Sequence, residues 1–235
     1  MHNQHLVKKQ SDAILKKKTN QIIPLNNQEG KLMITIAQAN AINGIIRGHF
    51  FWGHKSDNKV YLSDYGTASN VQKTYRNEQA REANKSIWIQ RTAGFTFADK
   101  MNMLPYERAG NCGEYTEHAV NLALAMDQVS TVWTFGCSEP GGINHIFCVF
   151  NLHQAPNNIT CLEEMSSDNS RPDVIVCDPW ANIVCLYTDY PIRLRDKMAK
   201  WNMSGKSIKL GISSISAIAW GNRCLNAPAY FEQKR

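Results

Sequence analysis

Apolar positions recur at helical spacing behind the stretch Gly110-Asn111-Cys112-Gly113-Glu114. At 3.6 residues per turn, Cys112, Tyr115, Ala119, Leu122, Ala123 and Met126 share one face, and Glu114, Glu117, His118 and Asn121 fall on the other. The pattern predicts an amphipathic helix over residues 112–126 with Cys112 in its first turn. Upstream, residues 32–46 are apolar on more than one face and predict a buried helix, with a strand as the alternative, that Gly44 and Gly48 stop. His49-Phe50-Phe51-Trp52-Gly53-His54 then reads as an aromatic loop, because two histidines without a third nearby ligand do not make a metal site. Ser69-Asn70-Val71-Gln72 has the Ser-x-x-Gln form of a capping box and predicts an exposed helix running to Lys85. Ser86-Ile87-Trp88-Ile89-Gln90 is strand-prone by composition, and residues 93–103 predict a short helix ending before Pro105.

Beyond the central helix the period changes. Residues 131–137 are rich in β-branched and aromatic side chains, Glu139-Pro140-Gly141-Gly142 is turn chemistry, and residues 143–150 are again strand-like, so the two predict an antiparallel hairpin. After a polar loop over 154–170, residues 173–178 predict a third strand stopped by Pro179, and residues 182–187 a fourth. Pro191 suits the first turn of a helix reaching about Trp201, and weak alternation over 208–220 suggests an edge strand.

A chain of 235 residues with 43% apolar side chains buries one substantial core, so residues 31–235 read as a single domain behind a flexible basic arm at 1–30. No window of eighteen apolar residues exists, which predicts no membrane span, and the N-terminus lacks the apolar centre of a cleaved export signal. The seven cysteines form no CxxC pair, as expected of reduced thiols in a cytosol. The net charge of +6 has no nucleic-acid motif beside it, so solvated basic faces are the simpler reading and no nucleic-acid partner is expected. Thiols and imidazoles bind zinc, yet without closely spaced ligand pairs neither a metal nor another cofactor is expected.

The candidate chemistry lies in three element ends. The unpaired N–H groups and positive dipole end of a helix start favour an anion, which is the setting of a nucleophilic cysteine. His145 opens an apolar strand after a glycine turn, and Asp178 closes one before Pro179-Trp180; each successive pair among Cys112, His145 and Asp178 is separated by 33 positions. Burying an imidazole and a carboxylate at strand ends is costly unless each finds a partner. Alone, the cysteine reads as a packing residue, His145 as a satisfied core histidine and Asp178 as a turn cap. Together they match the needs of nucleophilic catalysis: a thiol that attacks, a base that takes its proton and a carboxylate that fixes the ring.

Gly110-Asn111-Cys112-Gly113-Glu114, Asn144-His145-Ile146-Phe147-Cys148-Val149 and Val176-Cys177-Asp178-Pro179-Trp180-Ala181 resemble the Cys-His-Asp core of the papain-like and transglutaminase-like superfamily, most closely its divergent bacterial effector and toxin-domain members. The resemblance covers about a third of the chain. It implies an α+β fold in which the cysteine-bearing helix N-terminus packs on an antiparallel sheet, with Cys112 as nucleophile, His145 as base and Asp178 as orienting group. Papain-type proteases carry a glutamine six positions before the nucleophile, where this chain has Tyr106. The oxyanion donors are therefore sought in the Cys112 N–H and the side chains of Asn111, Gln90 or Trp88, with Trp180 as a candidate wall. The implied activity is acyl transfer at a protein glutamine amide, by deamidation or transglutamination, on a protein substrate that for an effector is a host protein, reached by secretion without a cleaved signal. A cysteine protease and a catalytically silent binding domain are the alternatives.

Overall fold

The computed structural model describes residues 33–235 except 52, 54, 63, 127, 128 and 130, so the arm read at 1–30 lies outside the described residues. The chain is α+β with antiparallel sheets. In order it forms helix α1 (Ile36–Phe51), strand β1 (Lys59–Tyr61), helices α2 (Asn70–Thr92), α3 (Phe97–Asn102) and α4 (Cys112–Leu124), and strands β2 (Val132–Glu139), β3 (Ile143–Phe150), β4 (Ile175–Asp178) and β5 (Ile183–Leu186). Helix α5 (Tyr190–Met203), strands β6 (Lys206–Leu210) and β7 (Ser213–Ser216), helix α6 (Ala217–Asn226) and strand β8 (Ala229–Gln233) complete it. Five strands make a sheet in the order β5-β4-β3-β2-β8, and β1-β6-β7 make a smaller one.

The hairpin read at 131–150 is present, with Val132 opposite Phe150 and Cys137 opposite His145. Its turn needs its glycines, because Gly141 and Gly142 hold φ of 97° and 91°, where a side chain is strained. The third and fourth strands and the helix behind Pro191 also form as read. Ser69 caps α2 through the expected reciprocal box, accepting from the Gln72 N–H while the Gln72 side chain accepts from its own.

Other expectations are corrected by packing. Helix α1 runs through Gly44 and Gly48: Ala39, Ile42, Ile46 and Phe50 form one buried stripe, which outweighs the roughly 1 kcal/mol that each glycine costs against alanine. His49, Phe50 and Phe51 thus belong to the last turn of α1, not to a loop, and His54 lies outside the described residues. Residues 86–90 are helical, because Ala80, Ala83, Ile87 and Gln90 recur at helical spacing on the buried side of α2 and the period overrides strand propensity. The loop after β3 contains a short 3-10 turn, Leu162–Ser167, whose Leu162 and Met165 enter the core. The weakly alternating stretch after Ile208 is a β6-β7 hairpin of the small sheet and then helix α6, which Ser216 caps by accepting from the Ala219 N–H. Ala217, Trp220, Gly221, Cys224 and Leu225 are its buried face.

Successive side chains of a strand point to opposite faces. On β4, Cys177 meets the Ala39 carbonyl of α1, and Asp178 meets the Tyr190 hydroxyl of α5. Extending the β3-β4 register beyond the Cys148–Cys177 pair sets Asp178 opposite Phe147, two residues from His145 and on its face. Helix α4 packs on β3 and β2.

Strand β2 lies between β3 and β8, and Gly136 sits where both crowd in: a Cβ there would fall 2.5 Å from Tyr230 Cζ and 2.6 Å from the His145 carbonyl oxygen. Because the second contact is backbone, Gly136→Ala is expected to destabilise the fold by about 1–3 kcal/mol in denaturant melts. Wild-type stability in that variant would mean the ladder tolerates spreading at this point.

Candidate active site

Four tethers fix the start of α4. The Gln90 amide donates to the Ala109 carbonyl at 3.1 Å, and the Gly110 N–H donates to Lys55 at 2.6 Å. Glu114 accepts from the Asn111 N–H at 2.8 Å and from the Arg91 guanidinium at 2.9 and 3.2 Å. Burial pushes the Glu114 carboxyl up, but Arg91 and the Asn111 N–H outweigh it and hold its pKa below the ordinary value. The Asn111 side-chain amide donates to Asp57 at 2.7 Å and its Oδ1 accepts from Ser56 Oγ at 2.7 Å, which in turn accepts from the Trp180 indole at 3.2 Å.

Helix α4 is less amphipathic than its pattern predicts. Glu114 and His118 are buried on the side read as polar, because α1, α2 and α3 cover it: His118 packs against His49, Phe50 and Phe97. Burial lowers the His118 pKa to about 4 and that of His49 to about 3, so both are neutral packing residues.

His145 and Asp178 are both 0% exposed and joined by a 2.7 Å bond from Nε2 to Oδ2. The Tyr190 hydroxyl donates to the same carboxylate oxygen at 3.0 Å, and the Ala181 N–H donates to the other at 2.9 Å. Desolvation is the largest influence on each partner and opposes its charge. For Asp178 it is outweighed by His145 and then by these donors, so the carboxyl stays below its ordinary pKa. For His145 it is outweighed by Asp178 and then by Cys112, so the imidazole pKa rises from 6.5 to about 10 and the ring is a cation at neutral pH. Trp180 and Trp220 each approach that ring to 5.2 Å between centroids and keep water away.

Cys112 is half-buried at the first position of α4, with Sγ 4.0 Å from the carbonyl of Asn144, the residue before His145. Cys112 adds to Asp178 in raising the His145 pKa, although no hydrogen bond closes between them. Nε2 is taken by Asp178 and Tyr190, and Nδ1 is buried without a hydrogen-bond partner.

The remaining expected residues divide. The Trp180 ring packs against that of His145 at 5.2 Å between centroids. Asn111 is at the site, but its amide is committed to Asp57. Gln90 is buried and committed to Ala109. Trp88 is 66% exposed on α2, because the helical period that buries Ile87 and Gln90 turns it outward. Neither side chain stands at Cys112 with a free donor; the first-turn N–H groups of α4 have no intrahelical partner, and Asn111 caps that of Glu114.

The sequence reading missed Tyr190, Ser56 and Trp220. Tyr190 stands one residue before the proline that announced α5, but nothing local shows that its hydroxyl reaches back to β4. Cys137 also lies opposite His145, and its thiol pKa is lowered, chiefly through a hydrogen bond with the Cys224 thiol. Among the described residues no group of histidine, cysteine, aspartate or glutamate side chains is arranged to hold a metal, and no helix is long and apolar enough to cross a membrane. Comparison with family models, with characterised proteins and with solved structures finds no match.

The buried pair sets a pH dependence. Folded His145 keeps its proton up to about pH 10, whereas the unfolded chain releases it near 6.5. Its contribution to stability is therefore complete below about pH 6.5 and is lost as pH rises through 10. Asp178 acts at the other end: its contribution is present above the ordinary carboxylate value of 3.8 and is lost as pH falls through its lowered pKa. Denaturant melts should show wild-type stability declining between pH 7 and 10 more steeply than that of His145→Gln. Equal slopes would show that the folded ring is not a cation.

Proposed function

We propose that the protein is a cysteine-dependent enzyme of the papain-like and transglutaminase-like type, which transfers the acyl group of a protein glutamine side chain through a Cys112 thioester. The observation that carries the reading is His145, buried between a carboxylate on one ring nitrogen and a helix-start thiol beside the other. A structural histidine in an apolar core is normally kept neutral, as His49 and His118 are. The His145 pKa is instead raised, by Asp178 first and then by Cys112, so that the proton of an attacking thiol is held firmly on the ring.

The steps follow from that placement. With the proton of the thiol residing on His145 as imidazolium, Sγ attacks the amide carbon. The tetrahedral oxyanion faces the first-turn N–H groups of α4, where the dipole favours negative charge. The C–N bond breaks as His145 returns its proton to the nitrogen, and ammonia leaves. Water then attacks the thioester, His145 takes the water's proton, and the C–S bond breaks to give glutamate and the free thiol. An amine in place of water gives the transglutamination product. Asp178 keeps its charge throughout and, with Tyr190, holds the ring. For a chain resembling bacterial effectors, the substrate is a host protein in a reducing cytosol.

Intact-mass analysis of a glutamine-rich model protein such as dimethylated casein, treated with and without an added primary amine, tests the reaction. The expected products are about +1 Da per deamidated glutamine, or the amine adduct less ammonia; fragments would instead assign the same residues to proteolysis. Cys112→Ala and His145→Ala should each lower the rate at least about a thousandfold, and the double variant should be little worse than either, because the residues act as one unit. Unchanged turnover in folded Cys112→Ala would refute the mechanism.

A further inference from the structure

Trp180, which packs against His145, also lines a cavity of about 540 Å³, a volume suited to a small molecule. Six cationic side chains line it: Arg47 of α1, Lys55, Lys59 of β1, Arg76 of α2, Lys197 of α5 and Lys206 of β6. Among the described residues its lining contains no aspartate or glutamate. The first turn of α2, also without an acidic residue, contributes Gln72 behind Thr67 and Ala68, so a positive helix end adds to the same field.

Convergence of this kind opposes folding. Burial first, and then Arg76 and Arg47, push the Lys59 pKa well below the ordinary lysine value; the same three causes, with Lys197 and Lys55 also acting, bring Lys206 to about 8. The carboxylates that reach the cluster act weakly and from outside the lining: Asp178 on Lys59 and Lys197, and Asp57 on Arg76. Both carboxylates already accept hydrogen bonds elsewhere. Basic side chains gathered from five elements and from the loop of Lys55 around one space are the arrangement that a bound polyanion compensates.

The rings in the cavity narrow the ligand class. Trp180 and Trp201 carry Lys59 Nζ at 4.1 and 4.8 Å from their centroids, and Lys206 Nζ lies 5.1 Å from Trp201 and 5.7 Å from Tyr61. These faces are taken by ammonium groups, so charge and not stacking of a base is what the cavity offers. Cys112 and His145 do not line it, which separates it from the acyl-transfer site.

We propose that this cavity is a second site, which binds a small molecule carrying two or more phosphate groups. The inference rests on the cavity and its cations, independently of the chemistry assigned to Cys112.

Isothermal titration calorimetry at low ionic strength, with sodium tripolyphosphate as the probe, tests it on the full chain. The expected result is one-to-one binding that weakens as salt is added. Lys206→Gln and Lys197→Gln should each weaken it about tenfold, as loss of a charge-assisted contact does, while Lys206→Arg retains it. Lys85→Gln, on the exposed side of α2, should leave it unchanged. In the absence of ligand Lys206→Gln should melt no lower than wild type, because it removes a repelled charge; Lys197→Gln keeps the test open if that variant fails to fold. ATP should bind no more tightly than tripolyphosphate if charge alone is read. Pelleting with vesicles containing phosphatidylinositol bisphosphate, displaced by tripolyphosphate, would give the same site a lipid source, and absence of pelleting a soluble one. No binding of any of these phosphates, or equal weakening by Lys85→Gln and Lys206→Gln, overturns the site.

Discussion

A buried ion pair is the constraint around which the large sheet and its helices are arranged. Taking an imidazolium and a carboxylate fully out of water costs several kcal/mol per ion unless their mutual attraction and further hydrogen bonds compensate. The fold supplies these from separate places. Strand pairing sets His145 and Asp178 on one face, the turn after β4 brings the Ala181 N–H back onto Asp178, and the start of α5 adds Tyr190. An apolar pair would serve this core at lower cost. The retention of charge where Cys112 enters is what sets these residues apart from ordinary packing.

A second feature is that Cys112 is held by its surroundings while staying half-exposed. Its helix is accordingly covered along most of its length and open at its first turn. Glu114 shows how this is done. In sequence it is an acidic residue suited to a helix start; in the structure it is buried, ties Arg91 of α2 to the Asn111 backbone and so clamps the loop that delivers the cysteine. Ser56 performs the same function from another direction, linking Asn111 to Trp180 and hence the helix start to the wall behind His145.

What could be read from sequence was what is local. The cysteine helix, the hairpin of β2 and β3, strands β4 and β5 and the capping box at Ser69 each depend on periodicity or turn chemistry within about a dozen residues. The pairing of His145 with Asp178 was inferable because isolated polar residues at apolar strand ends need partners. What could not be read depends on distant chain. Ser86 to Gln90 has strand composition and becomes helix because its neighbours bury it at a helical period. β8 becomes a strand by completing the edge of β2, and β1 by pairing with β6, nearly 150 positions away. The Tyr190 hydroxyl and the Ser56 bridge are tertiary facts that leave no spacing signature.

The distribution of charge ties the two halves of the molecule together. A net +6 read along the chain looks like solvated basic faces, yet six of the basic side chains line one cavity together with Trp180. Two of them reach the backbone that follows Asp178: Arg47 donates to the Pro179 carbonyl at 3.1 Å and Lys59 donates to that of Trp180. Asp178 offsets part of the lowering of the Lys59 and Lys197 pKa values that burial and neighbouring cations cause, and it raises that of His145, so one carboxylate acts on the ring and on the cavity. The segment Asp178-Pro179-Trp180-Ala181 is therefore shared. It orients the His145 ring through Asp178, packs against it through the Trp180 ring and anchors the cationic cavity through its carbonyls. A movement of Arg47 or Lys59 would therefore act on the backbone that joins Asp178 to Trp180.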